Sequence, residues 1–190
     1  MTLMEMMVVI GILSVVGMTL SGTIAYFYKS NAYLLEQTSS LDNARRGMGD
    51  AVRVIRQASY GDDGAFPMGY AATSTITFYS DLDNDNSAEK VRYSHTGGTL
   101  YREVTNSGGT PPSYIGQIQS TSTIANYVAN STSTPLFTYF DVNGIQLSTT
   151  TTDEAQIASV GITLMVDINP FRAPNVFTLS ETTTLRNLRL

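Results

Sequence analysis

The chain contains no cysteine, no tryptophan and a single histidine, His95, in 190 residues. Without cysteine there is no disulfide framework, no thiolate metal site and no cysteine nucleophile. His95 has neither a nearby metal-ligating partner nor a Ser/Asp constellation around it, so it reads as a strand residue at the start of a turn. Positive charge is also sparse: 11 Lys+Arg stand against 16 Asp+Glu, for a formal net charge of −5. That is not the balance of a general nucleic-acid binder. No Gly-rich phosphate loop follows a strand. Together these absences point away from an enzyme. What is abundant is Ser, Thr, Asn, Gly and Tyr, a composition suited to an exported, β-rich surface domain. The length leaves room for one such domain beyond an apolar segment.

Charge is missing altogether from Met6 to Tyr28, a stretch of roughly 35 Å as a helix at ~1.5 Å per residue. One carboxylate, Glu5, stands just before it. An ionisable group at the end of a membrane-length apolar helix is costly unless a partner is supplied. Three readings of the segment compete. A secretory signal peptide needs a basic region ahead of a shorter apolar core, and no Lys or Arg precedes Lys29. A plain single-pass anchor fits the length but leaves Glu5 unexplained. In the third reading a leader has been cut away, leaving a free amine at Met1 beside Glu5.

The run Met1-Thr2-Leu3-Met4-Glu5-Met6-Met7-Val8-Val9-Ile10-Gly11-Ile12-Leu13 resembles the mature N-terminus of type IV pilins and of the pseudopilins of type II secretion. The resemblance implies cleavage by a prepilin peptidase before Met1 and N-methylation of the new amine. It also implies a membrane-inserted precursor that an assembly ATPase and an inner-membrane platform draw into a filament. In that setting Glu5 of one subunit pairs with the Met1 amine of its neighbour, neutralising both groups and setting the axial register. Two local alternatives stand beside the pairing. Glu5 snorkels to a headgroup region, or it caps the dipole at its own helix N-terminus. Gly11, Gly17 and Gly22, with Ser14 and Ser21, lower helix propensity and permit close helix–helix approach. They also allow local melting around Gly17–Gly22.

Beyond Lys29 an amphipathic pattern continues. Leu34, Leu41, Met48 and Ile55 recur every seven residues, with Ala44, Ala51, Ala58 and Val52 beside them, while Arg45, Arg46, Asp50, Arg53 and Arg56 fall mostly on other faces. The spacing predicts one helix from about Thr2 to about Ala58. The basic cluster reads as a solvated face or as salt bridges to neighbouring subunits. Gly61-Asp62-Asp63-Gly64 and Pro67 close the helix and open a head.

Three alternating segments, Ser74–Ser80, Glu89–His95 and Thr99–Thr105, predict an antiparallel meander turning at Asp81–Asn86 and Thr96-Gly97-Gly98. A second group comprises Leu136–Asp141, Ile145–Leu147, Ile157–Asp167 and Val176–Leu185, with a hairpin turn at Asn143-Gly144. Ser107–Pro135 reads as a long surface loop holding a short helix around Gln119–Asn130, tethered by Tyr127 and Val128. In order and spacing the head segments resemble J-type minor pilins and pseudopilins. The expected fold is therefore α+β, a long N-terminal helix on an antiparallel head of two small sheets. Its parts are a filament-core helix (1–28), an amphipathic continuation (29–58) and a globular head (59–190).

Two site expectations follow in the head. Asp81, Asp83 and Asp85, with Glu89, cluster carboxylates as a calcium loop does, although the EF-hand glycine is missing and Arg92 stands where its twelfth-position Glu would be. Acidic Asx-rich turns also occur without metal. Asn130-Ser131-Thr132 matches an N-glycosylation sequon, and plain solvated loop is the alternative. The expected function is a structural subunit of a type IV pilus or pilus-like filament. It resides first in the cytoplasmic membrane, and then at the cell surface or in a periplasmic pseudopilus. The alternatives are a minor subunit of a tip or priming complex and a pilus-displayed adhesin.

Overall fold

A computed structural model describes residues 2–148, 154–169, 171 and 176–186. It comprises two compact units, residues 1–39 and 40–190. Helix α1, Leu3–Arg56, belongs to both.

In the first unit every described residue from Thr2 to Lys29 is exposed, including Leu3, Met7, Ile10, Leu13, Met18 and Phe27. The helix is long and apolar enough to cross a membrane. Its hydroxyls suit that environment because they close on the helix's own carbonyls. Ser14 Oγ donates to Ile10 O at 2.8 Å, Thr19 Oγ1 to Val16 O at 2.9 Å and Thr23 Oγ1 to Thr19 O at 2.9 Å. The helix runs unbroken through Gly17 and Gly22.

The second unit holds the core. Strands β1 (Met68–Ala71), β2 (Thr75–Ser80), β3 (Glu89–Thr96), β4 (Thr99–Thr105) and β5 (Gln119–Asn126) form one antiparallel sheet in sequential order. Strands β6 (Phe137–Phe140), β7 (Gln146–Leu147), β8 (Ser159–Val166) and β9 (Phe177–Thr184) form a second, ordered β7-β6-β8-β9, with a short 3-10 turn at Glu154–Gln156. Ala44, Met48, Ala51, Val54, Ile55 and Ala58 line the buried side of the helix and its exit. They join Phe78, Val91 and Tyr93 of the first sheet and Tyr139, Ile162 and Leu164 of the second in one cluster. Each large apolar side chain buried this way contributes about 1.5–3 kcal/mol. The α+β architecture is thus a long N-terminal helix packed on two antiparallel sheets, and it is compatible with a pilin-like arrangement.

The helix meets β5 very closely. A Cβ on Gly47 would lie 2.5 Å from Ile124 Cγ2 and 2.7 Å from the Ile124 carbonyl oxygen, so only glycine fits there. The last turn of α1 tightens, with Gln57 N–H bonding Val54 O and Ala58 N–H bonding Ile55 O, and Arg186 N–H caps the Arg56 carbonyl at 3.1 Å.

Two expectations need correction. Gln119–Asn130 holds no helix: Gln119–Asn126 is strand β5, paired with β4 from Thr105↔Gln119 to Thr99↔Asn126. Its first five residues are exposed, so the apolar alternation that announces a strand is missing. Leu34, assigned to the buried stripe, is 52% exposed, and burial of the heptad row begins only at Ala44 and Met48. Strand β1 was not anticipated. It is four residues long, contains Gly69 and is bulged between Met68 and Tyr70.

Candidate functional site

The N-terminus of α1 is built by residues 2–6. Thr2 N–H donates to Glu5 Oε2 at 3.2 Å, and Glu5 N–H reaches Thr2 Oγ1 at 3.4 Å. Glu5 N–H and Met6 N–H also bond Thr2 O, at 3.0 and 3.2 Å. This is a capping box, in which a Thr and a Glu three residues apart satisfy each other's orphan donors. The sequence signal for it was the Thr2…Glu5 spacing itself. The local alternative for Glu5, capping its own helix, is therefore realised within the chain. It does not exhaust the carboxylate, which offers about four lone-pair sites. No salt bridge joins Glu5 to a Lys or Arg among the described residues. Met1 lies outside them.

The basic stretch of α1 divides in two. Arg45 and Arg46 are exposed. Arg53 pairs with Asp50 at 2.7 Å, and Arg102 of β4 reaches the other Asp50 oxygen at 2.7 Å. The Asp50 hydrogen bond, then its charge, raise the Arg53 pKa. Asp50 thus ties helix to sheet, a role that β4 register was needed to reveal.

At the opposite end of β2 the chain turns through Asp81–Ser87. Asp81 accepts Asn84 N–H at 2.7 Å and Asn86 N–H at 3.1 Å through its two oxygens. Asp83 accepts Asp85 N–H at 3.3 Å, and Asp85 accepts Ser87 N–H at 2.7 Å. Asn86 sits at φ 70°. It occupies the loop position whose glycine the sequence lacks, and asparagine tolerates that left-handed conformation. Oxygens of Asp81, Asp83 and Glu89 converge, while Asp85 is not part of the group. Glu89 is buried, with Leu82 N–H donating to Oε2 at 2.7 Å. Burial raises its pKa, the Leu82 bond opposes the shift, and the charges of Asp83, Asp85 and Asp81 add to it.

Neighbouring Asp62 is different. Burial raises its pKa, but hydrogen bonds from Ser107, Ser87 and the Ala88 N–H outweigh that and bring it below the ordinary carboxylate value. It anchors the hairpin to the helix exit.

Asn130 has a structural task. Its Nδ2 donates to Thr134 O at 3.1 Å and Thr163 O at 2.7 Å, while Oδ1 accepts Met165 N–H at 2.9 Å. With both amide hydrogens engaged, a glycan on this nitrogen would forfeit at least one bond. Ser131 and Thr132, the rest of the sequon, are exposed. His95 Nε2 lies 3.3 Å from Val128 O, which ties β3 to the same segment. Val128 is buried as expected of a tether, whereas Tyr127 remains 40% exposed.

No protein-family model matches the chain. No curated protein matches it either.

Proposed function

We propose that the chain is a structural, non-catalytic subunit of a type IV pilus or pilus-like filament. The observation that carries this reading is the uncharged, exposed apolar helix from Met6 to Tyr28, opened by Glu5 and joined to a β-rich head. Such a surface needs a partner: lipid first, then copies of itself. In water, burying it would be worth about 25 cal/mol per Å², but lipid already supplies an apolar surrounding. Extraction from the membrane therefore needs outside energy, the task of an assembly ATPase and platform in the family that the N-terminal motif resembles. Glu5 supplies register by meeting the N-terminal amine of a neighbouring subunit, with Met1 as the cleaved and methylated residue.

The head segments, which resemble those of J-type subunits in order and spacing, favour a second reading as a minor subunit of a tip or priming complex. Stoichiometry separates the two, since a filament-forming subunit is present in thousands of copies per filament and a tip subunit in a few.

The test is to shear surface filaments from cells and identify their subunits by mass spectrometry. The expected result is this chain as a principal component, with its N-terminal peptide beginning at Met1 and one methyl group heavier. Finding the chain wholly in the membrane fraction would remove the reading.

A further inference from the structure

The outer face of the first sheet carries a cleft whose polar groups the fold itself does not use. Val91 and Tyr93 of β3 point into the core, so Lys90 and Arg92, which alternate with them, stand on the other face. Opposed residues in adjacent strands share a face. Lys90 is therefore joined there by Thr105 of β4 and Gln119 of β5, and Arg92 by Glu103. These side chains form the floor of a cleft of about 290 Å³.

The segment between β4 and β5 forms its wall, and that wall is fixed from behind. Tyr114 is buried, and its hydroxyl accepts Asp62 N–H at 3.1 Å and donates to Ala88 O. Its ring packs on Tyr79, with 5.1 Å between centroids. Gly108 and Ser113 exchange backbone hydrogen bonds at 3.0 and 2.9 Å. Gly116 turns the chain at φ 76°, a conformation that favours glycine. Gln117 then lies across Gly108, where a Cβ would stand 2.7 Å from Gln117 Nε2 and 2.9 Å from Oε1. The bare backbone of Gly108 thus seats the Gln117 amide beside the cleft.

The groups brought together here are left open. Among the described residues the Lys90 ammonium has no ion pair or hydrogen bond, and neither the Thr105 hydroxyl nor the Gln117 and Gln119 amides have a partner. Arg92 and Glu103 meet only at 3.4 Å, longer than the roughly 2.7–2.9 Å of a strong charge-assisted hydrogen bond. Two cations thus stand against one carboxylate, on a chain whose net charge is −5. The complement of such a cleft carries an anionic group and several hydroxyls. An apolar ligand would leave the ammonium and the amides unpaired. One carboxylate is too few for a hard metal ion. Single-stranded nucleic acid calls for open aromatic faces, and Tyr114 is 8% exposed. The volume lies at the lower end of small-molecule sites, about 300–1,000 Å³, which suits a short saccharide.

We propose that this cleft binds an acidic saccharide. Lys90 and Arg92 hold its carboxylate, Gln117, Gln119 and Thr105 bond its hydroxyls, and Glu103 accepts from one of them. Because the wall is set before the ligand arrives, little ordering cost opposes binding. The site depends on the head alone and stands whether or not the chain forms filaments.

The test is calorimetric titration of the full chain in detergent micelles. The probes are trigalacturonate and sialyllactose, two sources of a sugar carboxylate, with maltotriose and lactose as neutral counterparts. A hexaglutamate peptide serves as an anion that is not a sugar. At least one acidic sugar is expected to bind with a dissociation constant at or below about 1 mM, at least tenfold more tightly than its neutral counterpart. Lys90→Gln should weaken it about tenfold or more, the worth of one hydrogen bond to a charged group, with no change in melting temperature. Gln117→Ala, an exposed change, should weaken it several-fold. Gly108→Ala should do the same by displacing the amide, and should add nothing in the Gln117→Ala background. Failure of both acidic sugars to bind at about 1 mM would overturn the proposal. So would equal affinity for the neutral sugars, hexaglutamate binding as tightly, or unchanged affinity in Lys90→Gln.

Discussion

Glu5→Gln is expected to abolish filament assembly as completely as Glu5→Ala, while both variants still insert into the membrane. The capping box makes the glutamine variant the informative one. A glutamine oxygen can accept the Thr2 N–H that Glu5 Oε2 accepts now at 3.2 Å, since Gln serves in this motif as Glu does. Glu5→Gln therefore keeps the local cap, which is worth about 0.5–2 kcal/mol, and removes only the charge. If Glu5 meets a neighbour's amine in an apolar core, losing its charge leaves that amine uncompensated, at a cost of about 3–5 kcal/mol per contact. That exceeds a hundredfold in each subunit addition. Sheared-filament yield, normalised to the chain content of the membrane fraction, measures the effect. A glutamine variant that assembles normally beside a defective alanine variant would reduce Glu5 to a helix cap.

Asn130→Ala is expected to destabilise the head by about 2–6 kcal/mol, a large part of a domain's stability. Strand β6 is four residues long and β8 is eight, so much of the β6-facing edge of β8 has no strand partner. Residues 127–136 substitute for it. Thr163 N–H bonds Leu136 O, Ala129 N–H bonds Met165 O, and Asp167 N–H bonds Tyr127 O. The Asn130 amide fills the gaps by taking Thr163 O and Met165 N–H. Alanine leaves both unpaired, each at about 1–3 kcal/mol. Asn130→Asp keeps the acceptor for Met165 N–H but sets a second acceptor oxygen against Thr134 O and Thr163 O, so it should cost at least as much as alanine. Urea unfolding of the full chain in detergent checks this, and a loss below about 1 kcal/mol would show that water replaces the amide.

These two residues also mark what could be read without coordinates. The helix was legible because its charge-free run and heptad row both have helical spacing, and β2, β3 and β4 because Ile76/Phe78, Val91/Tyr93 and Leu100 alternate with polar neighbours. Strand β5 carried no such signal: Gln119–Thr123 faces solvent, and only Ile124 and Ala125 touch the core. Leu34 misled for the converse reason. The sevenfold spacing reaches back to Leu34, yet that side chain is 52% exposed. Among candidate site residues, the acidic turn was visible as composition, but the inward position of Glu89 and its pairing with Ser80 depend on strand register. Asn130 looked like a modification motif because three letters do not report which backbone groups an amide meets.

The central claim is that this chain's function is assembly through its N-terminal helix. A helical reconstruction of filaments isolated from cells tests it most directly. The account predicts the apolar helices packed at the filament axis, heads outward, with a Glu5 carboxylate oxygen within about 3 Å of the N-terminal amine of an adjacent subunit, the distance of a charge-assisted hydrogen bond. A filament in which Glu5 contacts only its own Thr2, with the neighbouring amine elsewhere, would contradict it.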